Sequence, residues 1–411
     1  MNQKLRGAAE KIAKGAIAAV CPDEAVRRAL ENIELSERVY LVAIGKAAWQ
    51  MAAAAVKYLD RPVYKGIVLT KYDHVLEELP NIVCYEAGHP VPDENSYQGT
   101  QAVLDMTGHL KETDTVLFLL SGGGSALFEK PLVDHEVLQS VTRIMLGSGA
   151  DITEMNTIRK RLSAVKGGKF AQWCQPAHME AIILSDILGD PVDMIASGPA
   201  AADPATTQQA MAIAQRYHID QLPGVQDCLR RETVKELHNV HTQVIGSVRQ
   251  LCMAAAKIAG ELGYEPVYLS DELDCEAKQA GQYLAEQLLV YHKDGKKRAL
   301  IAGGETVVQL TGNGLGGRNQ ELALAAAEKI SGLPNVALIS VGSDGTDGPT
   351  DAAGGYVDGD TLDELAAKEI DYWRMLENND SYHALQAVGN LIITGPTGTN
   401  VNDVMIGLID I

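Results

Sequence analysis

Residues 115–126 read Thr-Val-Leu-Phe-Leu-Leu-Ser-Gly-Gly-Gly-Ser-Ala, an apolar run that ends in a glycine triplet between two serines. A short apolar run bounded by glycine is typical of a buried strand. Glycines let the backbone turn its N–H groups inward as an anion-binding nest, and serines add hydroxyl donors. We therefore expect an anion to bind at the end of this strand, to the residues Ser121, Gly122, Gly123, Gly124 and Ser125.

Similar apolar runs recur along the chain and alternate with helical patterns. The runs of strand length lie at residues 39–44, 66–70, 82–85, 115–120, 181–185, 242–246, 266–269, 299–302, 336–341 and 391–393. Helical patterns lie between most of them, for example at residues 47–58, 96–110, 247–262, 275–292 and 318–330. Apolar strands separated by helices predict largely parallel sheets that helices cover on both faces. The predicted fold class is α/β, with sites just past the carboxyl ends of strands.

The length of the chain and one polar segment predict two domains. The chain has 411 residues, and a domain typically takes roughly 100–200. Residues 208–241 are more polar and less regular than the sequence on either side. We place the boundary in this segment and predict an N-terminal domain at residues 1–235 and a C-terminal domain at residues 236–411.

Composition excludes several classes of partner. The formal net charge is −19, from 35 Lys and Arg against 54 Asp and Glu, so nucleic acid and anionic membranes would repel the chain. No apolar run reaches the roughly 18 residues that a membrane span needs. The six cysteines are scattered without a Cys-x-x-Cys pair, which is typical of free thiols in a reducing compartment. We expect a cytoplasmic protein, monomeric or homodimeric, that binds small molecules.

Three segments carry positive charge where an anion could bind. Lys46 follows the predicted strand at 39–44 and opens a helix, where a lysine is unfavourable beside the positive end of the helix dipole unless an anion binds there. A surface lysine whose tip reaches water is the alternative. Residues 156–169 hold five basic residues, including Lys166, and predict a positive wall for phosphates or else a solvated helix face. Arg318 follows a glycine-rich turn, which suits a two-pronged clamp on a carboxylate or phosphate. An ordinary surface pair with Glu321 is the alternative.

Carboxylates occupy the turns after several strands. Asp186 and Asp190 follow the predicted strand at 181–185, and Glu305, Asp344 and Asp347 lie in the later glycine-rich loops. Such side chains can hold Mg²⁺, which prefers oxygen ligands, or accept a proton. Aspartates that cap helices and form turns are the alternative interpretation.

Four motifs in this order resemble the class II glycerate 2-kinases, whose C-terminal half is called the MOFRL domain. They are Ser-Gly-Gly-Gly-Ser-Ala at 121–126, Ser-Asp-Ile-Leu-Gly-Asp at 185–190, Gly-Gly-Arg-Asn-Gln-Glu at 316–321 and Thr-Gly-Pro-Thr-Gly-Thr-Asn-Val-Asn-Asp at 394–403. The resemblance covers nearly the whole chain. It implies a Rossmann-like N-terminal domain, a smaller C-terminal MOFRL-type domain and an active site in the cleft between them.

The resemblance also implies ATP-dependent phosphorylation of D-glycerate at its C2 hydroxyl, and it points to Lys46 and Arg318 as the central pair. The roles that follow are assigned from the residues themselves. We expect Asp186 to act as the base and Mg²⁺ to bridge phosphate oxygens, held by some of Asp190, Glu305, Asp344 and Asp347. We expect further contacts to the substrates from the following residues: Ser121, Gly122, Gly123, Gly124, Ser125, Lys166, Asn319, Thr397 and Asn400.

Two other functions remain open at this point. A hydroxypyruvate reductase that uses NAD(P)H would need a dinucleotide fingerprint at the first strand–helix turn, but residues 44–49 contain a single glycine. A non-catalytic sugar-acid binding protein could keep the anion clamp. It would have little use for so many carboxylates beside that clamp.

Overall fold

The computed structural model describes residues 2–410, and the chain divides into two compact units. The N-terminal unit comprises residues 25–245, and the C-terminal unit comprises the chain up to residue 24 and from residue 246 onward. The first helix, α1 (Gln3–Ala19), thus belongs to the C-terminal unit, not to the predicted domain at 1–235. The reason is packing, because its apolar face, including Leu5 and Ile12, is buried against the C-terminal unit.

The N-terminal unit is one sheet with helices around it. Its strands are β1 (Arg38–Ile44), β2 (Lys65–Lys71), β3 (Ile82–Ala87), β4 (Asp114–Leu120), β5 (His178–Leu184) and β6 (Val240–Gly246). Its helices are α2 (Pro22–Leu30), α3 (Ala48–Tyr58), α4 (Glu94–Thr107), α5 (Gly124–Leu127), α6 (His135–Gly147), α7 (Ile152–Leu162), α8 (Lys169–Trp173), α9 (Thr207–Arg216) and α10 (Val225–Leu229). The last residue of β6 and the first residues of α2 lie in the C-terminal unit.

The strand order of this sheet determines where a ligand can bind. The order is β3-β2-β1-β4-β5-β6, and the pairs β2–β3, β1–β2, β1–β4 and β4–β5 are parallel, as the sequence predicts. The chain order reverses between β1 and β4, and ligands of such sheets bind at this switch point, outside the carboxyl ends of the strands. The core below it includes Phe118, Phe128 and Phe170, with ring centroids 5.1 to 6.3 Å apart.

The C-terminal unit holds the second sheet, in the order β11-β10-β9-β12-β8-β7. Its strands are β7 (Glu265–Leu273), β8 (Arg298–Gly304), β9 (Val336–Gly342), β10 (Gly354–Asp358), β11 (Leu391–Ile392) and β12 (Asp403–Ile409). Its further helices are α11 (Val248–Glu261), α12 (Ala277–His292), α13 (Arg318–Ile330), α14 (Thr361–Ala367), α15 (Tyr372–Glu377) and α16 (Ser381–Ala387).

The predicted α/β class with helix-covered sheets is confirmed, but this second sheet is mixed and not largely parallel. Only β7–β8 is a parallel pair, whereas β12 runs antiparallel to β8 and β9, and β10 runs antiparallel to β9 and β11. Neither β10 nor β12 is among the strands predicted from the sequence. These two strands account for every antiparallel pair, so the missed elements explain the difference.

Two predictions about the chain's environment can be compared with the structure. None of the helices within residues 2–410 is both long and apolar enough to span a membrane. All six cysteines are free thiols, as their scattered spacing predicts.

Candidate active site

Two loops meet at the switch point between β1 and β4. The Lys46 N–H donates to the Gly122 carbonyl at 2.8 Å, and the Ala47 N–H donates to the Ser121 hydroxyl at 3.0 Å. Gly45 has a φ of +121°, where a Cβ would collide with Ser121, so glycine is required there. The predicted anion-binding loop and the lysine therefore lie side by side, held by their own backbones.

Four side chains or loop positions form what we call the Lys46 cluster: Lys46, His89, Gly123 and Asp186. A Cβ built on Gly123 would lie 3.1 Å from both the His89 ring and Lys46 Cγ, and its φ is +87°. A Cβ on Gly122 would overlap Asp186 Oδ2, so the glycine lets this carboxylate approach the loop. Within residues 2–410, nothing hydrogen-bonds to or pairs with Lys46 Nζ, which leaves the ammonium available to an anion.

His89 was missed by the sequence analysis. It follows β3 at the same edge of the sheet, and this position past a strand end was a usable signal. Burial lowers the pKa of His89, and the nearby charges of Lys46 and Lys71 lower it further. The imidazole is therefore neutral at pH 7 and can accept a proton.

Ser125 is tied to the fold by a short chain of hydrogen bonds. Its hydroxyl lies 3.0 Å from that of Ser197, which donates to Asn156 Oδ1 at 2.7 Å on helix α7. Ser121 and Ser125 thus both hold the shape of the glycine loop, in addition to any contact with a ligand.

The basic segment at 156–169 is mostly neutralised inside the fold. Lys166 is fully buried, forms a 2.6 Å ion pair with Glu129 and donates to the Phe128 carbonyl. Its predicted contact with phosphate is therefore not supported by its position. The other partners are Asp193 and Asp203 for Lys160, Glu232 for Arg161, and backbone carbonyls for Lys169.

In the C-terminal unit, Arg318 is clamped by two carboxylates. It donates from Nε and Nη2 to both oxygens of Asp403, at 2.7 and 3.1 Å, and from Nη1 to Glu305 Oε1 at 2.9 Å. The predicted alternative, a pair with Glu321, does not form. A guanidinium has five N–H donors and these contacts use three, so two remain for a ligand.

Asp403 is the partner that the sequence analysis left without a role, although it ends the last of the four motifs. Its side chain is 1% exposed against 32% for Arg318. Burial raises the pKa of Asp403 to about 6, opposed by the hydrogen bonds and charge of Arg318. Burial alone would lower the pKa of Arg318, but Asp403 and Glu305 outweigh it and raise that pKa.

Asp347 caps helix α13 with its carboxylate. The helix begins after Gly317, which has no side chain to cap it. Both oxygens of Asp347 accept instead, from the N–H groups of Asn319 at 3.0 Å and Gln320 at 2.8 Å. The side chain of Asn319 is buried and hydrogen-bonded to Ser340 and Asp347. The Asp347 carboxylate and the Asn319 amide are thus hydrogen-bonded within the fold next to Arg318, and their predicted metal and substrate contacts stay predictions.

Thr397 and Asn400 lie in the loop that packs on the turn containing Asp344. The Thr397 N–H donates to the Asp344 carbonyl at 3.2 Å, and its hydroxyl donates to the Ser343 carbonyl. Asn400 is exposed and accepts a long bond from the Asn402 N–H at 3.5 Å. Asn400 can therefore reach a ligand, whereas the Thr397 hydroxyl is used within the loop.

The remaining carboxylates suit a metal ion that is held mainly by its substrate. No group of three Asp, Glu, His or Cys within residues 2–410 is arranged to hold a metal. Mg²⁺ commonly binds through one or two carboxylates together with substrate phosphates. Asp190 Oδ1 is buried without a hydrogen-bond partner in the described chain, and Asp344 Oδ1 accepts from the backbone and hydroxyl of Thr346. The residues present fit a substrate-held Mg²⁺.

Comparisons with known proteins cover both halves of the chain. Residues 8–230 match a family described as a domain of unknown function (DUF4147), and residues 298–403 match the MOFRL family. The chain is 51% identical to the D-glycerate 2-kinase of Thermotoga maritima over 99% of both proteins. It is 42% identical to the glycerate 2-kinase of Pyrococcus horikoshii, over 92% of this chain and 89% of that one. The crystal structure of a T. maritima glycerate kinase matches with a TM-score of 0.96 at 50% identity, covering 99% of this chain and 100% of the other.

Proposed function

Because the chain belongs to the MOFRL family of glycerate 2-kinases, we propose that it phosphorylates D-glycerate at the C2 hydroxyl, using ATP. The observation that carries this proposal is 51% identity to a D-glycerate 2-kinase over 99% of both chains. The products are 2-phosphoglycerate and ADP. The arrangement of charge in each unit supports the same reaction.

Lys46 and Arg318 supply fixed positive charge for the transfer. Phosphoryl transfer depends mainly on positioning and on neutralising charge at the transferring group. Lys46 offers an unpaired ammonium beside the glycine loop, and Arg318 offers two unused N–H donors. We assign both residues to the transferring phosphoryl group. Glu305 and Asp403 hold the guanidinium in place and keep it charged.

The Lys46 cluster also holds the candidate bases. The C2 oxygen of glycerate forms a bond to the γ-phosphorus, the bond from that phosphorus to the bridging oxygen breaks, and ADP leaves. The hydroxyl proton passes to a base at hydrogen-bond distance. Asp186 is our predicted base, and its carboxylate lies against Gly122. His89 is a second candidate, because its lowered pKa keeps the ring neutral.

Mg²⁺ would be held by phosphate oxygens together with Asp190, Asp344 or Glu305. When bound, it neutralises charge on the phosphates. Asp190 is supported by its buried, unpartnered Oδ1. Asp347 is left out of this set because both of its oxygens cap helix α13.

We further propose that the enzyme works in the cytoplasm on two small anions. Six free cysteines suit a reducing compartment, and the net charge of −19 disfavours nucleic acid. The interdomain location of the site and the monomeric or dimeric state stay predictions.

The test is a comparison of two assays on the purified full chain. ATP should be consumed only when D-glycerate and a divalent cation are both present, and a chelator should abolish turnover until Mg²⁺ is restored. Oxidation of NADH with hydroxypyruvate, without ATP turnover, would contradict the kinase and favour a reductase. Full turnover in excess chelator would contradict the metal assignment.

A further inference from the structure

A cavity of about 550 Å³ adjoins the Lys46 cluster within the N-terminal unit. His89, Gly123 and Ser125 line one end, and side chains of helices α6 and α7 form other walls. Ligand pockets typically enclose roughly 300–1,000 Å³. The cavity is thus large enough for a nucleotide and far larger than a three-carbon acid requires.

Arg159 on α7 is the exception among the basic residues of segment 156–169. Its guanidinium is partly buried in the wall of the cavity, yet no group within residues 2–410 pairs with it or accepts its hydrogen bonds. Burial lowers the pKa of Arg159, and the charge of Glu129 acts in the opposite direction without outweighing the burial. A half-buried charge without a partner costs free energy unless a ligand supplies an anion. Arg143 on α6 adds a second positive charge to the same wall.

Glu129 gives independent evidence that a ligand binds in this cavity. It lines the cavity and is 3% exposed, with Oε2 paired to Lys166 at 2.6 Å. Its Oε1 is buried and has no hydrogen-bond partner in the described chain. Buried polar atoms are nearly always satisfied, so a donor from a bound molecule is the simplest explanation. The cavity therefore offers two positive charges, from Arg143 and Arg159, and one hydrogen-bond acceptor, Glu129 Oε1.

The remaining surface of the cavity is apolar. Leu138 and Leu146 on α6 and Val91 after β3 contribute to it. Leu146 is 61% exposed and Val91 is 60% exposed, and neighbouring exposed apolar side chains are common at binding sites. A hydroxy acid has no group for this surface, whereas a nucleotide base can cover it.

We propose that this cavity binds the nucleoside triphosphate of the kinase reaction. The base lies on the apolar wall, and the phosphates extend past Arg143 and Arg159 toward the glycine loop and Lys46. Glu129 Oε1 accepts a hydrogen bond from a hydroxyl or amino group of the nucleoside. The nature of the ligand rests on the proposed function, while the location rests on the cavity itself.

The experiment measures binding of the β,γ-imido analogue of ATP to the full chain by calorimetry, without glycerate. Arg159→Met should weaken binding by about 10- to 100-fold, since charged hydrogen bonds are lost. Arg143 is exposed, and Arg143→Met should also weaken binding of the analogue. Arg230→Met, an exposed arginine outside the cavity, is the matched control and should bind as the unsubstituted protein does. Leu146→Asn should weaken binding of the analogue but not of inorganic tripolyphosphate.

The outcomes separate this proposal from the proposed function. If the unsubstituted chain phosphorylates glycerate but both cavity arginine variants bind the analogue normally, the cavity assignment is overturned and the kinase stands. If Arg159→Met instead raises the KM for D-glycerate alone, the cavity binds the acid and the proposal is also overturned. If analogue binding depends on Arg159 in a chain that does not phosphorylate glycerate, the cavity assignment stands without the proposed substrate.

Discussion

Replacement of Arg318 separates a role in catalysis from a role in folding. Arg318 contacts Asp403 through two hydrogen bonds, and Asp403 is 1% exposed. Removal of one partner of a buried ion pair costs about 3–5 kcal/mol, because the other charge stays buried. In a domain of this size each kcal/mol shifts the melting temperature by roughly 2–4 °C. Arg318→Ala should therefore lower the melting temperature by about 6–20 °C.

The same substitution should lower turnover far more than this loss of stability explains. An arginine that stabilises the transferring phosphoryl group contributes about 10³- to 10⁵-fold to turnover. Arg318→Lys should recover only part of it, since an ammonium cannot make the planar two-pronged contact. Turnover is measured with saturating substrates, well below each variant's melting temperature.

The double variant Arg318→Ala, Asp403→Asn is the control for folding. It removes both charges, so most of the lost stability should return while turnover stays low. Recovery of turnover together with stability would refute the reasoning, because Arg318 would then matter only for the fold. Near-normal turnover in Arg318→Ala would refute it as well.

Three further predictions concern residues whose surroundings the structure defines. Lys46→Ala should lower turnover by orders of magnitude at an unchanged melting temperature, because the Lys46 ammonium has no partner within residues 2–410. Lys65→Ala, at an exposed lysine, is the control. Near-normal turnover of the Lys46 variant would show that Lys46 is not part of the site. Asp347→Ala should cost about 1–2 kcal/mol in denaturant unfolding, since helix α13 loses its cap, and an unchanged midpoint would contradict the capping role. Turnover should fall below pH 6, where Asp403 gains a proton and releases Arg318. The free energy of unfolding should change in the opposite direction. Because the pKa of Asp403 is raised, its contribution to the free energy of unfolding is present at low pH and is lost as the pH rises through about 6. In Asp403→Asn, neither turnover nor the free energy of unfolding should show this dependence on pH. If the variant keeps the pH profile of the unsubstituted protein, another group is responsible for the titration.

The fold was predictable where periodicity and turn residues agree. Helix α13 has the predicted bounds, and the strands that lead into the glycine loops were found because their apolar runs end at glycine or serine. Strand β10 was missed because Gly354 and Gly355 make up much of its five residues. Strand β12 begins at Asp403, the last residue of the last motif, and was not predicted as a strand from the sequence. Missing β12 also hid the antiparallel pairing, which depends on a strand that returns between β8 and β9.

The candidate site was predictable as a set of loops but not as a set of contacts. Sequence shows that Lys166 and Arg159 are charged, but not that Glu129 neutralises the first and that the second is unpaired. The sequence likewise places Arg318 after a glycine-rich turn, but it does not show that the buried Asp403 pairs with this arginine and makes it matter for stability. Partners that are distant in sequence decide which charges remain available to a ligand.

The position of the phosphate on the product tests the central claim most directly. Purified chain is incubated with D-glycerate, ATP and Mg²⁺, and the product is identified by phosphorus NMR and by its direct conversion with enolase, which accepts 2-phosphoglycerate but not 3-phosphoglycerate. We predict 2-phosphoglycerate, formed in equal amount with ADP. Formation of 3-phosphoglycerate, or no phosphorylated glycerate at all, would contradict the account.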